Sequence, residues 1–119
     1  MNISLQAELT LDILPMNSTY YFYILKCNDS KRYYGHTNSL INRFLEHQKG
    51  RVYFTKNKQP LELVYYEKFD SRPEAFRREM QFKSGKTRKE TIENLIASFP
   101  KAKCQGFNSH VQEEKVQSR

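Results

Sequence analysis

From Ile3 to Ile13 the apolar residues take every second place (Ile3, Leu5, Ala7, Leu9, Leu11, Ile13), a strand period that leaves one apolar face. Pro15 ends that run and a self-contained pattern begins only at Ser18, so residues 1–17 read as an N-terminal extension, either an added strand or a non-native start ahead of Met16. Tyr20 to Cys27 is apolar and aromatic without alternation, the pattern of a strand buried on both faces. Asn28-Asp29-Ser30-Lys31 is turn chemistry, and Arg32 to Thr37 resumes as a second short strand, so the two runs predict a hairpin. Leu40, Ile41, Phe44 and Leu45 then form a stripe at helical spacing, with N-cap residue types in Thr37 to Ser39 and Gly50 as its stop. A basic loop from Arg51 to Pro60 leads into a third strand, Leu61 to Phe69.

Ser71-Arg72-Pro73-Glu74 has the form of a capping box with proline in the first turn. The helix it opens runs through Phe76, Met80 and Lys83, places Glu79 one residue round from the Phe76 and Met80 seam, and is broken at Gly85. Thr87 to Glu90 repeats the capping pattern, and Ile92, Leu95, Ile96 and Phe99 mark the inner face of a further helix that Pro100 closes. Residues 101–119 are mostly polar with no sustained apolar period and are expected to be a flexible tail. The organisation is therefore one α/β domain over residues 18–100, between an extension and a tail.

A chain of 119 residues holds one compact domain and excludes a large multi-domain enzyme. It has no apolar run of the roughly 18 residues a membrane span needs, and no basic start precedes an apolar stretch, so a cytoplasmic protein without membrane contact is expected. Eight Phe and eight Tyr, with no Trp, supply most of the large core side chains. Two cysteines, Cys27 and Cys104, offer neither a disulfide framework nor a CxxC metal motif. Charge changes the picture most: 20 Lys and Arg oppose 13 Asp and Glu, a net +7. Between Lys31 and Lys103 there are 17 basic and 8 acidic residues, so the domain itself carries the positive field and favours a partner bearing phosphates.

The chemistry-bearing residues begin with the tyrosines of the hairpin, Tyr21-Phe22-Tyr23 and Tyr33-Tyr34-Gly35, and continue with Arg43 eight residues beyond Gly35. At these positions the sequence resembles the GIY-YIG endonuclease superfamily, in particular its small stand-alone members, which are related to the nuclease domain of the excision-repair incision subunit. The first tripeptide keeps only its tyrosine, as Tyr23; the second keeps Tyr33 and Gly35. The likeness continues through Thr37, Leu40, Glu46-His47, the run Leu63 to Tyr66 and the helix from Glu74 to Glu79, in the same order. It implies an α+β fold, a small three-stranded antiparallel sheet flanked by helices, in agreement with the elements read above.

The resemblance further implies hydrolysis of DNA phosphodiester bonds with one Mg²⁺ or Mn²⁺. It gives Tyr33 the activation of the attacking water, Arg43 the scissile phosphate, Glu79 the metal, and Tyr23 a supporting place. These residue types suit the task, which needs a deprotonated nucleophile, neutralised phosphate charge and a stabilised leaving group. A phenol with its usual pKa of about 10 needs a neighbouring cation to act near neutrality, and His36, His47 and Arg43 are the candidates. His36 is also a candidate proton carrier or phosphate donor, and His47 matches a Glu-His pair of small members. Asn94 lies where many members carry an asparagine.

Each residue also has a plainer reading: Glu79 as the partner of Lys83 one turn on, His47 in a structural hydrogen bond, Asn94 on an exposed helix face. Arg51, Lys56, Lys58, Lys83, Lys86, Arg88 and Lys89 are candidate contacts to backbone phosphates of DNA, or of RNA. No zinc finger or helix-turn-helix accompanies them, so sequence specificity is left to DNA shape or to a protein partner. The expected function is a metal-dependent DNA endonuclease, structure-selective and acting in repair or recombination. The alternatives are a non-catalytic DNA- or RNA-binding module of the same fold and a protein-interaction module built on the aromatic hairpin.

Overall fold

The computed structural model describes residues 19–117, with side chains described as far as residue 109. The alternating run from Ile3 to Ile13 and the extension 1–17 lie outside the described residues. Three strands, β1 (Tyr20–Lys26), β2 (Arg32–Thr37) and β3 (Glu62–Phe69), form an antiparallel sheet in the order β2-β1-β3. Four helices complete the α+β fold: α1 (Leu40–Gln48) between β2 and β3, then α2 (Arg72–Lys83), α3 (Lys89–Ser98) and α4 (Ala102–Gln117).

The central place of β1 explains its unbroken apolar sequence. Tyr23, Leu25 and Cys27 project into a core with Leu40 and Phe44 of α1, Leu63 of β3 and Cys104 of α4. Phe22 and Ile24 project the other way, against Tyr65, Phe82 of α2 and Ile92 of α3. Phe22, Tyr23, Ile24 and Leu25 are all at most 1% exposed, and burial of each such side chain contributes about 1.5 to 3 kcal/mol. A bulge in β3 accompanies the turn of this sheet: Ile24 faces Tyr65 while Leu25 faces Leu63, leaving Val64 as the extra residue. Phe99 packs against both Tyr65 and Tyr66 and so joins the two cores beyond β3.

Several local expectations are corrected. The segment 101–119, expected as a flexible polar tail, is helical over Ala102–Gln117. Its first turns are part of the core: Cys104 is 5% exposed, Phe107 meets Phe44 and Tyr66 edge-on, and the Asn108 amide bonds both the N–H and the carbonyl of Leu63. The domain therefore continues past Pro100. Ser71 caps α2 as its sequence predicts, accepting from the Glu74 N–H, but Thr87 does not cap α3; its hydroxyl donates to the Gln81 carbonyl and Arg88 is the N-cap. The buried side of α2 is Ala75, Glu79 and Phe82, whereas Phe76 and Met80 are exposed. A carboxylate thus holds the inward place that the apolar pattern assigned to its neighbours, because it is paired on both oxygens.

Candidate active site

Strand β2 is an edge of the sheet, and four elements converge on it. Tyr23 of β1 lies directly across from Gly35 of β2. A Cβ at Gly35 would stand 2.5 Å from the Tyr23 hydroxyl oxygen and 3.0 Å from Cε2 of Tyr33. Only glycine lets the phenol cross the neighbouring strand at this distance. The Tyr23 and Tyr33 rings consequently sit 6.2 Å apart between centroids, with His47 of α1 edge-on to both, 4.8 Å from Tyr33.

His47 is fully buried, on the inner side of α1, and its hydrogen bonds fix the proton positions around it. The Thr55 hydroxyl, also with no exposure, donates to the Val52 carbonyl and accepts from His47 Nδ1–H at 2.7 Å. His47 Nε2 is then the acceptor for the Tyr23 hydroxyl at 2.9 Å. Burial, reinforced by the charge of Arg43, pushes the imidazole down to about 4, so the ring is neutral near pH 7. This corrects the expectation that His47 is a cation able to lower a tyrosine. Burial likewise holds the Tyr23 phenol well above its ordinary range, with Tyr33 adding to the rise and the guanidinium of Arg43 opposing it. Tyr23 remains a phenol, a donor to His47. By contrast, the hydroxyl of half-buried Tyr33 makes no hydrogen bond among the described residues.

On the other side of β2, His36 Nδ1 meets Glu79 Oε1 at 2.7 Å and Lys83 Nζ meets Glu79 Oε2 at 2.6 Å. Glu79 is only 6% exposed, and Lys83, one turn on along α2, also places its ammonium 5.8 Å from the centroid of the Tyr33 ring. A cation beside Tyr33 is therefore Lys83, which the sequence placed among the candidate phosphate contacts and as the partner of Glu79, the latter pairing being the one the structure shows. Arg43 of α1 points back toward Tyr23 and bonds Glu46 Oε1 at 2.9 Å. Among the described residues no group of three or more His, Cys, Asp or Glu is placed to hold a metal ion. One carboxylate fits an ion that keeps most of its water shell once the Lys83 ammonium, 2.6 Å from Glu79 Oε2, gives up that oxygen to it.

The structure brings Tyr23, Tyr33, Arg43, His36, His47, Glu79 and Lys83 together from β1, β2, α1 and α2. It does not bring in Asn94, which is exposed on α3 with its backbone carbonyl taken by Ser98. Arg51 and Lys56 are exposed on the loop after α1, and Lys58 pairs with Asp29 at 3.6 Å beside the hairpin turn. Lys86, Arg88 and Lys89 line the exposed approach to α3, the latter two in loose pairs with Glu90 and Glu93. Thr55 escaped sequence reading because a lone threonine in a basic loop carries no pattern; its role depends on a fold that closes the loop over His47.

Comparison with known proteins places the sequence in a family. The sequence model of the family described as GIY-YIG catalytic domain matches residues 19–93. A UPF0213 protein of Pediococcus pentosaceus is 41% identical over 83 residues, which cover 69% of this chain and 86% of the relative. A UPF0213 protein of Listeria monocytogenes is 42% identical over 67 residues, 56% of this chain and 75% of that one. Among solved structures, the solution NMR structure of a UPF0213 protein of Bacillus halodurans aligns with 31% identity and a TM-score of 0.43, over 66% of this chain and 83% of the other.

Proposed function

Because the chain belongs to the GIY-YIG catalytic-domain family, together with its UPF0213 relatives, we propose that it is a metal-dependent endonuclease that hydrolyses DNA phosphodiester bonds, structure-selective and serving repair or recombination. The observation that carries this reading is the meeting of two tyrosines, an arginine and one buried carboxylate from four separate elements on a single sheet edge. A core alone has no need to gather these groups.

Within that reading Tyr33 is the reacting tyrosine and Tyr23 the positioning one. The Tyr33 oxygen, without a hydrogen-bond partner among the described residues, takes the proton of the attacking water as a phenolate, or as a phenol relays it by passing its own proton on to solvent, with the Lys83 ammonium beside its ring to balance negative charge there. Tyr23, locked as a donor to His47, holds the Tyr33 side of the site in place and keeps its oxygen toward Arg43. Arg43 offers a planar fork to the phosphate, whose negative charge grows in the transition state. Glu79 is the residue that would hold Mg²⁺ or Mn²⁺, and the ion when bound would stabilise the leaving oxygen and its phosphate. His36 supports Glu79 from the side away from Lys83.

The test is a nicking assay of the purified chain on plain, branched and flapped DNA with Mg²⁺ or Mn²⁺, alongside Glu79→Ala and Tyr33→Phe. Each substitution is expected to reduce cleavage about a hundredfold or more while leaving DNA binding in place. Salt-sensitive binding without cleavage of any substrate by the wild type would instead identify a non-catalytic binding module.

A further inference from the structure

The loop after α1 displays two aromatic rings where a soluble domain ordinarily hides them. Tyr53 is 78% exposed and Phe54 69%, their centroids 5.4 Å apart and their planes at 83°. Rings at that angle do not stack on each other, so each keeps a face outside the pair. The loop that presents them is strongly one-signed: residues 47–61 contain Lys49, Arg51, Lys56 and Lys58 and no carboxylate. Lys49, Arg51 and Lys56 make no ion pair among the described residues, and Arg51 and Lys56 are exposed.

The loop is also held firmly. Val52 and Thr55, on either side of the two rings, are 7% and 0% exposed. Successive turns close it, from Thr55 N–H and Lys56 N–H to the Val52 carbonyl and from Lys58 N–H to the Thr55 carbonyl. Thr55 then bonds His47, and His47 bonds Tyr23. The rings are thus tied to the tyrosine pair of the site through two hydrogen bonds, and their exposure is fixed by the fold rather than by a wandering loop.

We propose that Tyr53 and Phe54 form a stacking platform for unpaired bases of a DNA strand that leads into the Tyr23 and Tyr33 site. This rests on the nuclease reading and adds the class of substrate, DNA carrying unpaired nucleotides next to the bond that is cut. Aromatic faces bind any base by its π-surface, while the flanking ammonium and guanidinium groups follow the backbone phosphates. A paired duplex keeps its bases stacked on each other and gives the rings nothing to receive. An acidic protein surface would match the charge but has no reason to meet this loop at a phosphate-binding site.

The proposal is tested by binding of the full chain, without divalent metal, to fluorescent plain duplex, flapped duplex and single-stranded DNA. The wild type is expected to prefer DNA with unpaired bases. Tyr53→Ala and Phe54→Ala should each lower that preference about five- to a hundredfold, Phe54→Trp should retain it, and Phe54→Leu, which keeps apolar bulk without a π-face, should not. A 2-aminopurine placed in the flap should be quenched by the wild type and not by the double alanine variant. Equal affinity of the wild type for all three DNAs, or alanine variants with unchanged preference and unchanged thermal midpoints, would overturn the platform. Cleavage with Mg²⁺ is read separately on the same substrates, so failure of the nuclease reading and failure of the platform give different results.

Discussion

His47 shows how one buried side chain can be both part of a site and a condition for the fold. In the unfolded chain its imidazole protonates near its ordinary value of 6.5, but in the fold only at about 4. Between those values the unfolded chain binds a proton that the native state refuses, so stability is complete above pH 6.5 and falls as the pH drops toward 4. The fall approaches about 1.4 kcal/mol per pH unit inside the window. Urea unfolding at pH 7, 6 and 5 should show the wild type losing more stability than His47→Gln, whose amide has no proton to gain. Parallel losses in the two proteins would remove the buried ring as the cause. At this scale the grouping of Tyr23, Tyr33, Arg43 and Glu79 was implied by the resemblance their motifs carry, and the fold brings the four side chains together. The pairing of Lys83 with Glu79 was legible as neighbours one helical turn apart, but its approach to Tyr33 was not, because a contact between separate elements leaves no trace in a linear pattern.

Elements follow the same division between what neighbours in sequence determine and what distant contacts decide. The hairpin, α1 and β3 were readable from apolar runs and turn residues, since a central strand buried on both faces must be continuously apolar. Helix α4 was not readable: only Cys104 and Phe107 mark its packed side among the described side chains, too few to set a period. Its attachment depends on Asn108, whose side-chain amide accepts from the Leu63 N–H at 3.0 Å and donates to the Leu63 carbonyl at 3.4 Å. The amide occupies the place of a further strand on the open edge of β3. Replacing Asn108 with Ala leaves two backbone groups of a 1% exposed residue without their partner, at a cost of about 1 to 3 kcal/mol. Chemical denaturation should register that loss, together with faster exchange of the Leu63 amide proton. An unchanged midpoint would mean that water replaces the amide fully and that α4 is held by Phe107 and Cys104 alone.

For the whole molecule the governing quantity is charge rather than shape. Among the described residues no helix is long and apolar enough to cross a membrane, and the positive excess belongs to the folded segment between Lys31 and Lys103. Much of the acidic complement is already engaged, Glu79 with Lys83 and His36, Glu67 with Arg78, and Asp29 with Lys58. The field that remains outward comes from lysines and arginines without such partners, and on the proposed function these meet phosphates. Removing one cation that touches a phosphate of an unpaired strand should reduce the slope of log affinity against log salt by about 0.7. Arg51→Gln with Lys56→Gln should therefore lower the slope on single-stranded DNA by about 1.4 and weaken binding to all sequences alike, because a phosphate contact carries no base information. Arg88→Gln with Lys89→Gln should lower it by less, since Glu90 and Glu93 already sit 3.6 and 3.9 Å from those two charges. Anisotropy titrations across sodium chloride concentrations read both slopes directly. A larger effect at Arg88 and Lys89 would move the DNA track away from the aromatic loop and onto the start of α3.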